Sequence, residues 1–129
     1  MGGNFGLELD VTKLSEEEKE EIRKQIALLK EVRETFAKGT FTRLRCPYEG
    51  ELTAWQFTDD RRVAACFYLS LAHAADKILP VRLYGLDAQA TYTDSEGHVY
   101  SGRDLMSYGL IPPIQNRDYA SSVVVLTKA

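Results

Sequence analysis

The chain has 129 residues, is 44% hydrophobic and 27% charged, and carries a formal net charge of −3. That length fits one domain and is too short for a (β/α)8 barrel, which needs roughly 200 residues or more. No stretch is basic enough to track a phosphate backbone, and no apolar run reaches the ~20 residues of a membrane helix, so neither nucleic acid nor membrane is expected as a partner.

The opening Met1-Gly2-Gly3-Asn4-Phe5 has no charged n-region and no apolar h-region, which reads as a cytoplasmic chain without a leader. Phe5, Leu7 and Leu9 alternate with Gly6, Glu8 and Asp10, the period-2 pattern of a strand with one apolar face. A lone strand needs neighbours, so the expectation is that the sequence continues a longer polypeptide. Ser15-Glu16-Glu17-Glu18 is a capping box, with three acids at the positive end of a helix dipole. Behind it Ile22, Ile26, Leu29 and Phe36, with Val32 near the seam, form an apolar stripe at helical spacing. The spacing predicts a helix over 16–37, ended by Gly39 in a left-handed conformation. Residues 16–34 carry seven acids and five bases, which read as the helix's solvated face.

Beyond Gly39 the pattern changes. Short segments rich in β-branched and aromatic residues cover 41–46, 52–58, 63–71, 78–86, 90–93, 99–101 and 119–127, separated by turn signals such as Asp94-Ser95-Glu96-Gly97. Such spacing predicts an antiparallel sandwich or barrel. One helical turn is expected around Leu105 and Met106 within 102–109. Cys46 and Cys66 lie in predicted strands and read as free, small apolar groups, although a bridge would be open to them if those strands paired.

The residues offer little chemistry. Asp59-Asp60, the adjacent acidic pair outside the helix, precedes Arg61-Arg62 in a hairpin signal and reads as a polar turn. Cys46, Cys66, His73 and His98 lack the paired spacing of zinc ligands, so no metal and no cofactor are expected. No nucleophile elbow, phosphate loop or dinucleotide fingerprint is present. Trp55 is the candidate for stacking on a sugar, with Tyr48, Tyr68 and Tyr84 as companions. The apolar face it shares with Phe57 reads more readily as core.

Taken in order, a set of segments resembles the C-terminal part of α-galactosidases of glycoside hydrolase family 36. Gly3-Asn4-Phe5-Gly6-Leu7-Glu8-Leu9-Asp10-Val11-Thr12-Lys13-Leu14-Ser15 with its acidic helix resembles the end of that family's catalytic barrel. Gly39-Thr40-Phe41-Thr42-Arg43-Leu44, Thr53-Ala54-Trp55, Gly85-Leu86-Asp87, Gly102-Arg103-Asp104-Leu105-Met106-Ser107-Tyr108-Gly109-Leu110 and Tyr119-Ala120-Ser121-Ser122 resemble landmarks of its last domain. Residues 71–80 and 110–117 depart from the pattern.

The resemblance implies a mainly β fold: an antiparallel, Greek-key-like β-sandwich over 39–129, preceded over 1–38 by the last strand and helix of a barrel. It implies a parent enzyme that removes terminal α-galactose from melibiose and raffinose by a retaining, two-aspartate mechanism. Neither a Lys-Trp-Asp nor a Ser-Asp sequence occurs here, so no catalytic residue is carried over. The implied role is non-catalytic support of the barrel and assembly of a homo-oligomer. Phe5, Leu7, Ile22, Ile26, Leu29 and Phe36 would pack on the barrel or an interface, and oligosaccharide would be met only through the parent. The alternative is a carbohydrate-binding module built on Trp55.

Overall fold

A computed structural model describes Gly6, residues 8–72 and residues 79–129. Phe5, Leu7 and His73 lie outside the described residues. In the predicted opening strand, Gly6 and residues 8–10 form no strand. Asp10 instead caps a short 3-10 turn, Val11–Lys13, by accepting the Thr12 N–H at 3.1 Å.

Helix α1 (Glu16–Lys38) starts as its sequence dictates. The Ser15 hydroxyl accepts the Glu18 N–H at 3.2 Å, and the Glu18 carboxylate accepts the Ser15 N–H at 2.8 Å. Glu16–Lys19, Glu20–Arg23 and Glu21–Lys24 pairs at 2.7, 3.0 and 3.1 Å decorate the exposed surface. The helix ends at Gly39, yet not in the expected left-handed conformation, for φ is −72° and ψ 160°. Glycine is needed there for space. A Cβ would stand 2.4 Å from the Thr35 carbonyl oxygen and 3.0 Å from that of Thr58.

Strands β1 (Thr40–Arg45), β2 (Leu52–Thr58), β3 (Arg62–Leu69), β4 (Thr91–Thr93), β5 (Val99–Ser101) and β6 (Ala120–Lys128) form one six-stranded antiparallel sheet in the order β1-β2-β3-β6-β4-β5. Helix α2 (Gly102–Ser107) supplies the predicted single turn. A register shift between Arg43 and Arg45, with both side chains charged, blunts the β1 edge against pairing with another chain.

The mainly β, antiparallel class holds, and its layers are as follows. On one face of the sheet Ala54, Val63, Ala65, Phe67 and Leu126 pack under Val81, Leu83, Leu86, Leu105 and Leu110. On the other, Ala64 and Val125 pack under Val32, with Leu28 and Phe36 beside it. Among the described residues the first cover is irregular chain plus α2, not a second hydrogen-bonded sheet.

The strand expected over 78–86 is therefore corrected. Val81 and Leu83 are buried while Arg82 and Tyr84 are exposed, so the alternation was sound. The ladder is missing because the backbone's partners come from elsewhere. Val81 forms a lone bridge with Leu110, and the Leu83 N–H donates to the Leu105 carbonyl at 3.0 Å. Tyr84 is held by a side chain: its N–H donates to Gln56 Oε1 at 3.0 Å, and its carbonyl accepts from Gln56 Nε2 at 2.7 Å. Gln56, fully buried in the middle of β2, thus takes the place of a neighbouring strand. Gly109 lets the Val81–Leu110 bridge close: φ is +99°, and a Cβ would meet the Val81 backbone at 2.6 Å.

Candidate functional site

Helix α1 is apolar over a wider arc than the single stripe suggested by the sequence. Ile22, Ile26 and Leu29 recur at i, i+4 and i+7; Leu28, Val32, Thr35 and Phe36 recur at i, i+4, i+7 and i+8. At 3.6 residues per turn their mean directions differ by roughly 100°, and Phe36 lies only about 20° from Leu29, so the two are flanks of one broad apolar face. The second stripe faces the sheet. Val32 and Thr35 are buried there, and the Phe36 ring meets Phe57 edge-on at 4.8 Å. Phe57 in turn meets Phe41 at 5.3 Å. Phe36, part of the stripe read from the sequence, thus packs on the sheet.

The helix's C-terminal half is locked by a polar joint. The Thr35 hydroxyl donates to Asp59 Oδ2 at 2.6 Å, and Asp59 Oδ1 accepts the N–H groups of Arg61 and Arg62, each at 2.8 Å. Arg62 Nη1 reaches back to the Glu31 carbonyl at 2.5 Å. Desolvation pushes the Asp59 carboxyl up, but the Thr35 hydroxyl and the two amides outweigh it and hold it below the usual carboxylate range. Asp59-Asp60 is therefore a turn, as its sequence suggested, with a second task of gripping the helix. An open groove of about 1170 Å³ runs past this joint, with Glu31, Glu34, Lys38, Asp60, Arg61 and Lys128 on its walls. Acids and bases alternate there, so it presents no single-sign field to a charged ligand.

The first stripe is placed differently. Ile22, Ile26 and Leu29 are half-buried, and none belongs to either core cluster. Leu9, Leu14 and Ile22 line a notch of about 610 Å³, together with Glu17, Glu18, Glu20, Glu21 and Lys24. Leu9 and Val11 are exposed beside it.

The other candidates scatter. Trp55 is half-buried on the α1 side of the sheet, in register with Arg43 and Cys66. Tyr84 belongs to the irregular cover on the opposite face, and Tyr48, on the β1–β2 loop, is 93% exposed. Tyr68, half-buried, shares the face of Trp55 on the neighbouring strand, where Trp55 pairs with Cys66 and Thr53 with Tyr68. Both cysteines are free, and burial raises the Cys66 thiol to about 11, which leaves it an inert thiol.

His98 sits at the β4–β5 turn, its Nδ1 3.0 Å from Asp94 Oδ2, with the Tyr100 hydroxyl donating to the same oxygen at 3.0 Å. Asp94 Oδ1 accepts the N–H groups of Glu96 and His98, each at 2.9 Å. Desolvation raises the Asp94 carboxyl, and these four donors outweigh it, bringing it to about 2. Among the described residues no group of three or more His, Cys, Asp or Glu side chains could hold a metal ion, and no helix is long and apolar enough to cross a membrane.

Sequence reasoning missed the Gln56 clamp and the Thr35–Asp59 joint. The first had a signal: a glutamine central in the apolar strand Leu-Thr-Ala-Trp-Gln-Phe-Thr must find partners once buried. The second joins positions 24 apart and had none.

A helix-backed antiparallel sheet defines the class: a mainly β domain carrying one long amphipathic helix. Comparison with known proteins makes this specific. Residues 52–126 match the glycosyl hydrolase family 36 C-terminal domain, and residues 1–39 match melibiase. The chain is 41% identical over 123 residues to alpha-galactosidase AgaA of Geobacillus stearothermophilus, covering 94% of this chain and 17% of that protein. It is 38% identical over 130 residues to alpha-galactosidase 2 of Hypocrea jecorina, covering 99% and 17%. A crystal structure of an AgaA variant in complex with raffinose superposes with a TM-score of 0.91 at 36% identity, over 99% of this chain and 18% of that one. This chain belongs to glycoside hydrolase family 36 and corresponds to the C-terminal part of its α-galactosidases. It spans less than a fifth of the length of the relatives it matches.

Proposed function

We propose that this chain is the non-catalytic C-terminal part of an α-galactosidase that hydrolyses terminal α-galactosides such as melibiose and raffinose. Residues 1–38 complete the catalytic barrel, residues 39–129 form the supporting domain, and oligomer assembly falls to the same part. The observation that carries the reading is the division of the chain between two matches, the opening 1–39 with melibiase and 52–126 with the family's C-terminal domain. The use of the carboxylates supports it. Asp59 grips the helix, Asp94 holds a hairpin turn, and Asp87 pairs with Lys128 at 2.9 Å. A retaining glycosidase needs two carboxyls about 5–5.5 Å apart across a sugar, one free to act as nucleophile. These aspartates serve the fold instead.

The test has two arms. The chain alone, offered p-nitrophenyl α-galactoside, melibiose and raffinose, is expected to release no galactose; turnover by the isolated chain sinks the reading. The chain set in place of the corresponding C-terminal segment of AgaA is expected to give a soluble enzyme that hydrolyses raffinose, where AgaA lacking that segment does not.

A further inference from the structure

Tyr84 is an exposed aromatic side chain on a backbone that is held from beneath. The residue is 54% exposed, while its N–H and carbonyl are both engaged by the buried Gln56 amide, at 3.0 and 2.7 Å. It stands on the wall of the groove of about 1170 Å³ that rounds the β2–β3 end of the sheet. We propose that this groove binds a neutral oligosaccharide, with the Tyr84 ring as the surface on which one hexose stacks and the hydroxyls of Thr40, Thr42 and Thr58 as its hydrogen-bonding floor. The inference goes beyond the hydrolytic reading, for it concerns binding by this chain itself.

Three observations support it. The first is the floor. Thr40 pairs with Thr58 and Thr42 with Gln56 across β1 and β2, so the three threonines share the face on which Gln56 reaches Tyr84. The Thr58 hydroxyl accepts from Gln56 Nε2 at 2.6 Å, which leaves its own proton to donate. Thr40 is exposed and Thr42 half-buried, and both line the groove. A threonine hydroxyl donates and accepts, as does each hydroxyl of a sugar, so the two surfaces match in kind. The second observation is charge. The groove is lined by four acids and four bases. Glu34 pairs with Lys38 at 3.5 Å, Lys128 with Asp87 at 2.9 Å, and Asp59 is bound to Thr35 and the turn amides. An anionic ligand needs cations in excess, and this balance selects a ligand without charge. The third is rigidity. The Gln56 clamp fixes the Tyr84 backbone before a ligand arrives, so stacking orders little more than one side chain.

Size and composition select an oligosaccharide over other neutral partners. The groove exceeds the roughly 300–1,000 Å³ of a typical small-molecule site, so it has room for more than one sugar ring. A protein surface is the poorer match. The centre of such an interface is apolar and depleted of charge, whereas here Tyr84 is the one aromatic lining residue among those described, set among threonines and charged side chains. Tyrosine suits a sugar because it offers an apolar ring face with a polar tip.

The experiment titrates the isotope-labelled chain with raffinose and follows its amide and indole resonances. Expected are saturable shifts at Thr42, Thr58, Tyr84 and Gly85, with the Trp55 indole, which does not line the groove, unmoved. Tyr84→Ala keeps the N–H and carbonyl that Gln56 holds and is expected to bind about tenfold more weakly. Thr42→Val, which deletes one hydroxyl of the floor, is expected to bind several-fold more weakly. Tyr48→Ala, on the β1–β2 loop at the other end of the sheet, is expected to bind as the unsubstituted chain does. Galactose and sucrose, titrated separately, show which end of raffinose the groove holds, and saturable shifts with either support the assignment. The absence of saturable shifts overturns it, as does undiminished binding by Tyr84→Ala, or a response centred on Trp55. Inorganic phosphate that moves the same amides at lower concentration than raffinose overturns it too, since the ligand would then be an anion. The AgaA hybrid tests hydrolysis separately, so a chain that binds no raffinose leaves the proposed function standing, and an inactive hybrid leaves the groove standing.

Discussion

The two faces of the sheet are covered by opposite means. One lies under a long, regular helix whose sequence announces it; the other lies under irregular chain from 79 to 90 and the single turn of α2. The irregular cover holds the larger core. Val81, Leu83, Leu86, Leu105 and Leu110 sit over five buried strand residues, whereas the helix buries Val32 over Ala64 and Val125 with Leu28 and Phe36 at its margin. Regularity of backbone and weight of packing are thus separate properties. A cover need not be a ladder or a helix to be the main one, provided every backbone polar group it buries finds a partner.

The strongest way to break this comparison is to empty one site on each face. Leu83→Ala removes a fully buried side chain between β-strands and cover and is expected to cost about 2–5 kcal/mol. Val32→Ala, beneath the helix, removes two carbons at about 0.8 kcal/mol each and is expected to cost less, about 1.6 kcal/mol. Urea denaturation of both variants checks this; equal losses would show that the helix carries as much of the fold as the irregular layer.

On the helix side, Gly39→Ala sharpens the contrast. The added methyl would press on two backbone oxygens, Thr35 O and Thr58 O, neither of which can rotate away. Separation of α1 from the β2 end is expected at about 1–3 kcal/mol, seen as a lower midpoint and faster amide exchange over residues 35–40. On the irregular side the counterpart is Gln56→Leu. The Tyr84 N–H and carbonyl lose their partner, and leaving such groups unpaired costs about 1–3 kcal/mol. Loss of exchange protection confined to Tyr84 and its neighbours is the expected signature. If the variant proves as stable as the parent, water substitutes for the clamp and the glutamine is dispensable.

The same two faces explain what could be read from sequence. The helix was legible because its signals are local: a capping box at Ser15 and Glu18, i, i+3 charge pairs, and apolar residues at helical spacing. Five strand segments and the closing one were legible because alternation and turn residues bound them. The segment 78–86 misled because alternation reports which side chains are buried and not where the N–H groups go; Gln56 lies 28 positions from the backbone it serves. The helix's apolar surface was half legible. Apolar periodicity located Ile22, Ile26, Leu29 and Phe36 on one face. Which of these residues meets the sheet depends on contacts such as Phe36–Phe57 that no window of sequence contains. The Thr35–Asp59 joint, joining a helix to a turn, was illegible for the same reason.

The smallest effect expected is electrostatic, at the β4–β5 turn, and it has a sign on each side of neutrality. The Asp94 carboxyl, at about 2 against an ordinary 3.8, favours its anion in the fold, so its contribution is present above 3.8 and is lost as pH falls towards 2. The His98 imidazole is raised above 6.5 by its hydrogen bond to Asp94 and by that carboxylate's charge. Its protonated form favours the fold, so this contribution is present below 6.5 and is lost as pH rises through the raised value. Asp94→Asn removes both, so the melting temperature lost on substitution should be greatest between about pH 4 and 6 and shrink on either side. His98→Ala should erase the alkaline limb alone and keep the acid one, because Asp94 retains the bonds from Tyr100, Glu96 and the backbone at position 98. Melting curves from pH 2 to 8 decide it: a loss independent of pH would mean that Asp94 acts only as an acceptor for the turn, with no charge coupling to the histidine.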